Sequence, residues 1–578
     1  MEYSAINHQA DKRYCYALKK GKFLFRISTK KNDIDRIVLH FQDKYIPLHM
    51  FDSRQAIEMK KTASDRFHDY FEAVAEFDVI CLRYYFELID MQGEVAYFGN
   101  CEFYEKEITE IDLMFDCPQN LREEERFEIP QWAENKVVYQ IFPARFASSK
   151  PVPEDTWYKS PIGHWEDIKG DLRGIIEHLD HIQELGVDVI YLTPIFCADS
   201  VHKYDTIDYY RIDPSFGTEE DLTELVKKAH AMGMRVILDG VFNHTSPKFF
   251  AFSDIREKGE NSKYKDWYYI DSYPLFPGTR EEKPNYKSFS YFGGMPKLNL
   301  SNEETADYVI RVGKYWIEKC DIDGWRLDVG DEISHNFWKK FRKEIKAVKP
   351  DALIIGEIWH FAEDFLEGDE WDSVMNYAFF LSVKKLVADA SILPSQFLEN
   401  LDYMKGNLNS KVYPVLWNLI DSHDTARFLH ICGENKEKMR LAVALQLLLP
   451  GMPMIYYGDE YGMNGYDASD CRRGMLWDEK RQDKEMYDWY RTLIGTRKKY
   501  PALTNGRETT RVCQDENGIF VLTKELDGTE VTLLVHAKEG NVALEKAMKE
   551  KLRGGKNVLT GAEFDGSLAG YEAAVIVK

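Results

Sequence analysis

Four short stretches carry acidic side chains beside groups that could tune them. In Gly324-Trp-Arg-Leu-Asp328, Arg326 and Asp328 stand two residues apart, so on a strand both project from one face. A guanidinium beside a carboxylate keeps it ionised, the state a nucleophile needs. Glu357 follows Ile354-Ile355 and precedes Ile358 and Trp359. Burial among such neighbours favours the protonated carboxyl, the state of a general acid. Asp424, at the end of Leu419-Ile-Asp-Ser-His-Asp-Thr425, remains to hold hydroxyls and to stabilise a cationic transition state. Asp239 with Asn243 and His244 forms the fourth group, and His244 and His423 would donate to hydroxyls of one ring. Three strand-end acids without a metal-ligand cluster point to acid/base and covalent chemistry on a neutral polar substrate. A glycosidic bond fits, since one carboxylate attacks or guides water while a protonated one serves the leaving oxygen. Taken singly, each residue has a blander reading: a structural ion pair, a loop cap, a solvated strand end. Their joint spacing is what favours chemistry.

Groups so far apart in sequence need a frame that gathers them. Apolar strands are predicted at 137–142, 187–192 and 235–239, alternating with a helix over 172–185 and another opened by Thr218 and Asp221 as a capping box, with Leu222, Leu225, Val226 and Ala229 as its stripe. Asp328 to Glu357 is a step of 29 residues and Glu357 to Asp424 a step of 67, close to one and two units of a (β/α)8 TIM barrel at roughly 30 residues per unit. Asp239 to Asp328 is 89. The excess falls in 245–300, read as a subdomain inserted after strand 3. Ser301 and Glu304 form a predicted capping box for the next helix, and strands 7 and 8 are expected near 415–420 and 454–457, with helices near 436–449 and 484–500.

Short aromatic and β-branched segments at 22–27, 36–41, 83–89 and 95–98 predict an N-terminal antiparallel sandwich, joined by a charged link over 120–126. Past 505, segments at 519–522 and 531–535 flank Asp527-Gly528, a hairpin signal. The predicted architecture is therefore a multidomain α/β chain: a β-sandwich over 1–126, the barrel over 127–504 with its insert, and a second β domain over 505–578. With 97 acidic against 75 basic residues and a formal charge of −22, nucleic acid and anionic membranes are poor partners. The opening residues lack a signal-peptide pattern, no apolar run is of membrane-spanning length, and the nine cysteines form no CxxC, so a cytoplasmic protein with reduced thiols is expected.

Asp239-Gly-Val-Phe-Asn-His244, Gly324-Trp-Arg-Leu-Asp328, Gly356-Glu357 and Ser422-His-Asp424 resemble, in order and spacing, the four short regions of the alpha-amylase family. Met295-Pro-Lys-Leu-Asn299 resembles the cyclomaltodextrinase, maltogenic amylase and neopullulanase group, where an oligo-1,6-glucosidase would read Gln-Pro-Asp-Leu-Asn. Tyr139-Gln-Ile-Phe-Pro143, Pro194-Ile-Phe196 and His202-Lys-Tyr-Asp205 are similar to that group as well. The resemblance implies Asp328 as nucleophile, Glu357 as general acid/base and Asp424 as transition-state stabiliser, with retention of configuration. It further implies Tyr204 under the sugar being cleaved, His244, Arg326 and His423 as its hydrogen-bonding partners, Glu332 and Trp359 on the acceptor side, and Arg472 near the second sugar. Cyclodextrins, maltooligosaccharides and pullulan fragments are the implied substrates, through α-1,4 and α-1,6 bonds and with transglycosylation. An N-terminal sandwich in this group implies a homodimer. The alternatives are a non-catalytic sugar-binding barrel and an oligo-α-glucosidase.

The sequence departs from the family in three places. Pro143-Ala-Arg-Phe-Ala-Ser-Ser-Lys-Pro151 leaves few oxygens where members often bind calcium, which takes about six to eight, so no cofactor is expected to be required. Ala468-Ser-Asp-Cys-Arg472 stands where Asp-Pro-Asp-Cys-Arg is usual, and Gly330-Asp331-Glu332 where Ala-Asn-Glu is common.

Overall fold

In the computed structural model, which describes residues 1–19, 21–45, 54–77, 81–100, 102–117 and 127–578, the chain forms two units. The predicted link over 120–126 lies outside the described residues. The first unit pairs its period-two segments in two antiparallel sheets. One runs Cys15–Lys19, Lys22–Lys30, His68–Glu76, Lys60–Ser64; the other runs Gln55–Glu58, Ile34–Asp43, Leu82–Asp90, Val95–Gly99, Glu102–Tyr104. Alternate residues such as Phe23, Phe25, Ile27, Ile37, Leu39, Phe71, Tyr84 and Phe86 fill the space between them. Glu363–Gly368 and Ser395–Tyr413, drawn from the barrel portion of the sequence, also belong to this unit. Lys31 Nζ reaches Glu399 at 2.7 Å, Arg26 Nη1 donates to Leu408 O at 2.7 Å, and Asn407 Nδ2 to the Tyr70 hydroxyl at 2.8 Å.

The second unit contains the barrel. Its strands are β1 (Val138–Ile141), β2 (Val189–Leu192), β3 (Arg235–Gly240), β4 (Gly324–Leu327), β5 (Leu353–Gly356), β6 (Ser373–Asn376), β7 (Trp417–Asn418) and β8 (Met452–Tyr456), all parallel and closed by β1 against β8. Each is buried along its length except for the half-buried Arg235 at the foot of β3, as expected of strands between a packed interior and covering helices. The β3–β4 register sets Asp239 beside Arg326.

Helix starts show how far local rules reach. The Thr218–Asp221 box caps Glu219–Ala231 as predicted. The helix Glu303–Cys320, however, is capped by Asn302, whose Oδ1 accepts from Thr305 N at 3.1 Å. The helix begins one residue later than the Ser301 reading requires, and Glu304 instead accepts from Trp267 Nε1 at 3.2 Å. The helix over 172–185 is two pieces, Leu172–Glu177 and Leu179–Leu185, broken at His178. The insert holds one helix, Phe250–Lys258, among short turns and isolated bridges.

At the N-terminal ends of the strands, two buried aspartates tie the barrel together. Asp323 takes Val236 N and His230 Nε2 at 2.8 and 2.7 Å, Arg235 Nη1 at 2.8 Å and Lys349 Nζ at 3.1 Å. Asp372 takes Ile354 N, Arg342 Nη1 and Lys346 Nζ at 2.9, 2.7 and 2.8 Å. The C-terminal region is a five-stranded sheet in which Ile519–Leu526 and Thr529–His536 form the predicted hairpin. Asp527 and Gly528 both adopt positive φ (47° and 77°), as a two-residue turn of that hand requires. Among the described residues, no helix is long and apolar enough to cross a membrane.

Candidate active site

The opposite, C-terminal ends of the strands surround a cleft of about 680 Å³, within the usual range of small-molecule sites. Tyr204, His244, Asp328, Glu357, Trp359, Asp424 and Arg472 line it. Arg326 and His423 are fully buried within the barrel, in contact with those lining groups. Glu332 is turned away to Lys297 Nζ and Asn243 Nδ2, both at 3.2 Å, and at this point the wall of the cleft is Asp331.

One guanidinium organises the floor. Arg326 Nη1 bonds Asp239 Oδ2 at 2.9 Å and Asp328 Oδ1 at 3.0 Å, while Nη2 pairs with Glu357 Oε2 at 2.8 Å. Asp328 and Glu357 are thus held on the two terminal nitrogens of a single planar group. Asp239 is further bonded by the Tyr191 and Tyr204 hydroxyls at 2.6 and 3.2 Å.

The sequence reading gives Asp328 the cation and Glu357 the apolar pocket; in the structure Asp328 does meet the cation, and Glu357 shares it. Glu357 receives Val329 N at 3.0 Å and Trp359 Nε1 at 3.3 Å besides the Arg326 pair, so its surroundings are more polar than its neighbours in sequence imply. Burial and the neighbouring Glu357 push the Asp328 carboxyl well above the ordinary aspartate range, against the opposing pull of Arg326. The two acids interact strongly, so a proton held here belongs to the pair.

Backbone strain accompanies this arrangement. Val329, β-branched, sits at φ 47°, a region such residues avoid, and it presents the N–H that Glu357 accepts. Trp371 packs against the glycines on both sides. A Cβ at Gly356 would lie 2.2 Å from its ring and one at Gly330 2.7 Å, which accounts for glycine where alanine is common in the family.

On the other wall, Asp424 bonds His423 Nε2 at 2.9 Å and Arg472 Nη2 at 3.1 Å. Burial would raise this carboxyl, but His423, Arg472 and Arg326 together hold it well below the usual range, so it is ionised. His423 is oriented by Gln140 Nε2 at 2.8 Å and by the Tyr204 hydroxyl at 2.5 Å, with the Tyr204 and His423 rings near parallel. His244, pushed down to about 3 by burial and Lys297, is neutral and bonds Tyr204 O at 3.1 Å. Tyr191, Gln140, Lys297, His202 and Asp331 are site residues that sequence reasoning missed. Tyr191 lay inside a segment read only as a strand, and Gln140, His202 and Lys297 inside stretches used only as signatures.

Asp171, the ordered acid beside the loop expected to bear on calcium, spends its oxygens on Ser149 and on Gly174 N as a helix cap. Those residues do not suit a calcium cage. Among the described residues, no group of three or more His, Cys, Asp or Glu could hold a metal ion.

Residues 140–488 match the family described as alpha amylase, catalytic domain, and residues 1–119 match alpha amylase, N-terminal ig-like domain. The chain belongs to the alpha-amylase family. Like its relatives in that family it is a glycoside hydrolase, acting on alpha-glucans. It is 40% identical to a cyclomaltodextrinase of Geobacillus thermopakistaniensis over 98% of this chain and 96% of the relative. It is 38% identical to neopullulanase 2 of Thermoactinomyces vulgaris over 97% and 96%. A solved structure of a cyclomaltodextrinase superposes with a TM-score of 0.91 at 34% identity, covering all of both chains. These alpha-amylase family proteins thus match the flanking β domains as well as the barrel.

Proposed function

We propose that the enzyme hydrolyses α-1,4 and α-1,6 bonds of cyclodextrins, short maltooligosaccharides and pullulan fragments by double displacement, with transglycosylation when sugar acceptors abound. One observation carries the reading: Asp328 and Glu357 share the Arg326 guanidinium at the floor of an open cleft, with ionised Asp424 at its other wall. Asp328 attacks the anomeric carbon while Glu357 gives its proton to the leaving oxygen. The glycosidic oxygen draws the pair's proton onto Glu357, and the charge developing at the anomeric carbon favours Asp328 as the anion. A glycosyl ester on Asp328 results. Water, deprotonated by Glu357, then releases the sugar with its configuration retained.

The remaining residues bind. The Tyr204 ring lies under the sugar, with Arg326 holding Asp328 beneath it. His244, which is neutral, and His423 offer hydrogen bonds to its hydroxyls, Arg472 and Asp424 grip the donor side, and Trp359 serves the acceptor side, with Asp331 forming the wall where Glu332 is turned away. The domain organisation is 1–126, 127–504 with the insert 245–300, and 505–578, the first domain serving a homodimer. The cytoplasm is the proposed compartment, and it suits a chain in which no described cysteine is in a disulfide. The names of the relatives support the substrate choice. Initial rates measured in parallel on β-cyclodextrin, pullulan, panose, maltotriose and starch test it. Cyclodextrin and pullulan should exceed starch; a strong preference for starch would reject it.

A further inference from the structure

The cleft presents two tryptophans to solvent, and only one of them is placed in the chemistry above. Trp359, 49% exposed, is bonded to Glu357 and stacked on Tyr377 at 4.0 Å. Trp165 is 68% exposed and lines the same cleft from the loop that follows β1. Exposure of one indole is ordinary by itself; what sets Trp165 apart is that it lines the cleft on a turn held from below.

That display is built. Gly163 to Glu166 is a tight turn, closed by Glu166 N on Gly163 O at 3.2 Å, with Gly163 N on Glu166 Oε1 at 3.0 Å. Beneath it lies Arg145, 1% exposed, whose Nη2 donates to the carbonyls of Gly163 and Glu166, on either side of His164-Trp165. The Nη1 of the same guanidinium donates to Arg472 O at 3.1 Å, and Arg472 holds Asp424. Asp470 takes the preceding Ile162 N at 3.1 Å. One buried cation therefore fixes both the indole and the arginine on Asp424.

The ring contacts give the direction. Trp165 meets His202 at 5.9 Å and His164 at 5.0 Å, and His202 in turn stacks on Tyr204 at 5.8 Å. Burial, with His164 and Arg472 nearby, pushes His202 down to about 3, so a neutral ring continues the apolar surface. Trp359 attends the acid that serves the leaving group; Trp165 continues, through His202, from Tyr204 under the reacting sugar, on the turn that Arg145 ties to Arg472.

We propose that Trp165 is a sugar-stacking platform on the donor side of the cleft, taking the glucosyl unit next to the one cleaved and setting a preference for donors longer than one sugar. This rests on the hydrolase reading above. The face of a pyranose ring carries C–H groups that pack on an indole, while its rim hydroxyls remain free for His164 and solvent.

The test compares Trp165→Ala and Trp165→Phe with the wild type on p-nitrophenyl α-glucoside, which occupies one donor position, and p-nitrophenyl α-maltotrioside, which occupies three. In Trp165→Ala the ratio of kcat/KM for the maltotrioside over the glucoside should fall at least tenfold, mainly through KM, and Trp165→Phe should recover much of it. An unchanged ratio overturns the platform. Maltotriose binding is titrated calorimetrically in an Asp328→Asn background, with and without Trp165→Ala. Affinity that falls about tenfold with the alanine supports the platform even if the wild type cleaves neither substrate, a result that would sink the hydrolase reading alone. Equal affinity overturns the platform whatever the rates.

Discussion

The two ends of the barrel treat buried acid in opposite ways. At the N-terminal end Asp323 meets Arg235, Lys349 and His230, and Asp372 meets Arg342 and Lys346, each with a backbone N–H besides. Burial would raise both carboxyls, yet these partners hold them below the ordinary value. At the C-terminal end three carboxylates share one guanidinium, and Asp328 is pushed upward. Acid is oversupplied with cation where the fold is tied together and undersupplied around Arg326 at the floor of the cleft, while Asp424 on the other wall keeps Arg472 and His423. Unbalanced negative charge facing a cleft is what a cationic transition state can use; the same imbalance in a closed core would only destabilise.

The largest expected effect breaks the C-terminal end. Asp328→Asn should lower kcat by on the order of 10^4 or more, the scale of losing a nucleophile, with circular dichroism unchanged. A variant that keeps a tenth of the activity would remove Asp328 from the chemistry. The N-terminal end should answer in stability instead. Asp323→Asn or Asp372→Asn leaves half-buried cations and a buried backbone N–H with a weaker partner, at a cost of about 1–3 kcal/mol, read by denaturant unfolding, while kcat at a temperature where the variant is folded stays near wild type.

A smaller effect has the opposite sign at the two ends. The Asp328 carboxyl is raised in the folded chain, so its contribution to stability is fully present below the unfolded value and is lost as pH rises through the folded value. Asp328→Asn should therefore melt about 2 °C or more above wild type at pH 7, and the gap should close near pH 4. Asp323 and Asp372 are depressed, so their contribution is present above the unfolded value of 3.8 and is lost as pH falls through the folded one. Their asparagine variants should be least different from wild type in acid. A fall in melting temperature for Asp328→Asn at neutral pH would cancel the contrast.

The smallest effect concerns the shape of a pH profile. If the Asp328–Glu357 pair carries one working proton, the alkaline limb of kcat/KM reports its loss. With α-glucosyl fluoride, whose departure needs little protonation, Glu357→Gln should flatten that limb.

The barrel was legible because strand ends at steps near 30 residues repeat, and because two residues apart on a strand share a face; Arg326 and Asp328 do meet. The number of claimants on Arg326 was not legible, since Asp239 and Glu357 reach it only through closure of the barrel. Apolar neighbours in sequence likewise said little about Glu357, whose partners are the N–H of strained Val329 and the Trp359 indole. Glu332 and Asp331 differ by one position in a short turn, and local pattern does not decide which of them faces the cleft. Ser301 and Asn302 are both good helix caps, and only the start of the helix chose between them. Trp165 lay in a loop to which no role was given, and Arg145, which holds its turn, lay in the stretch Pro143–Pro151 read only for calcium ligands.

The measurement closest to the central claim is mass spectrometry of the Glu357→Gln enzyme after brief exposure to α-maltosyl fluoride, followed by peptide digestion. The variant can form the glycosyl ester but clears it slowly. The account predicts a maltosyl adduct on the peptide containing Asp328, on that side chain. An adduct on any other residue, or turnover without an adduct and with inversion of the anomeric centre, would contradict it.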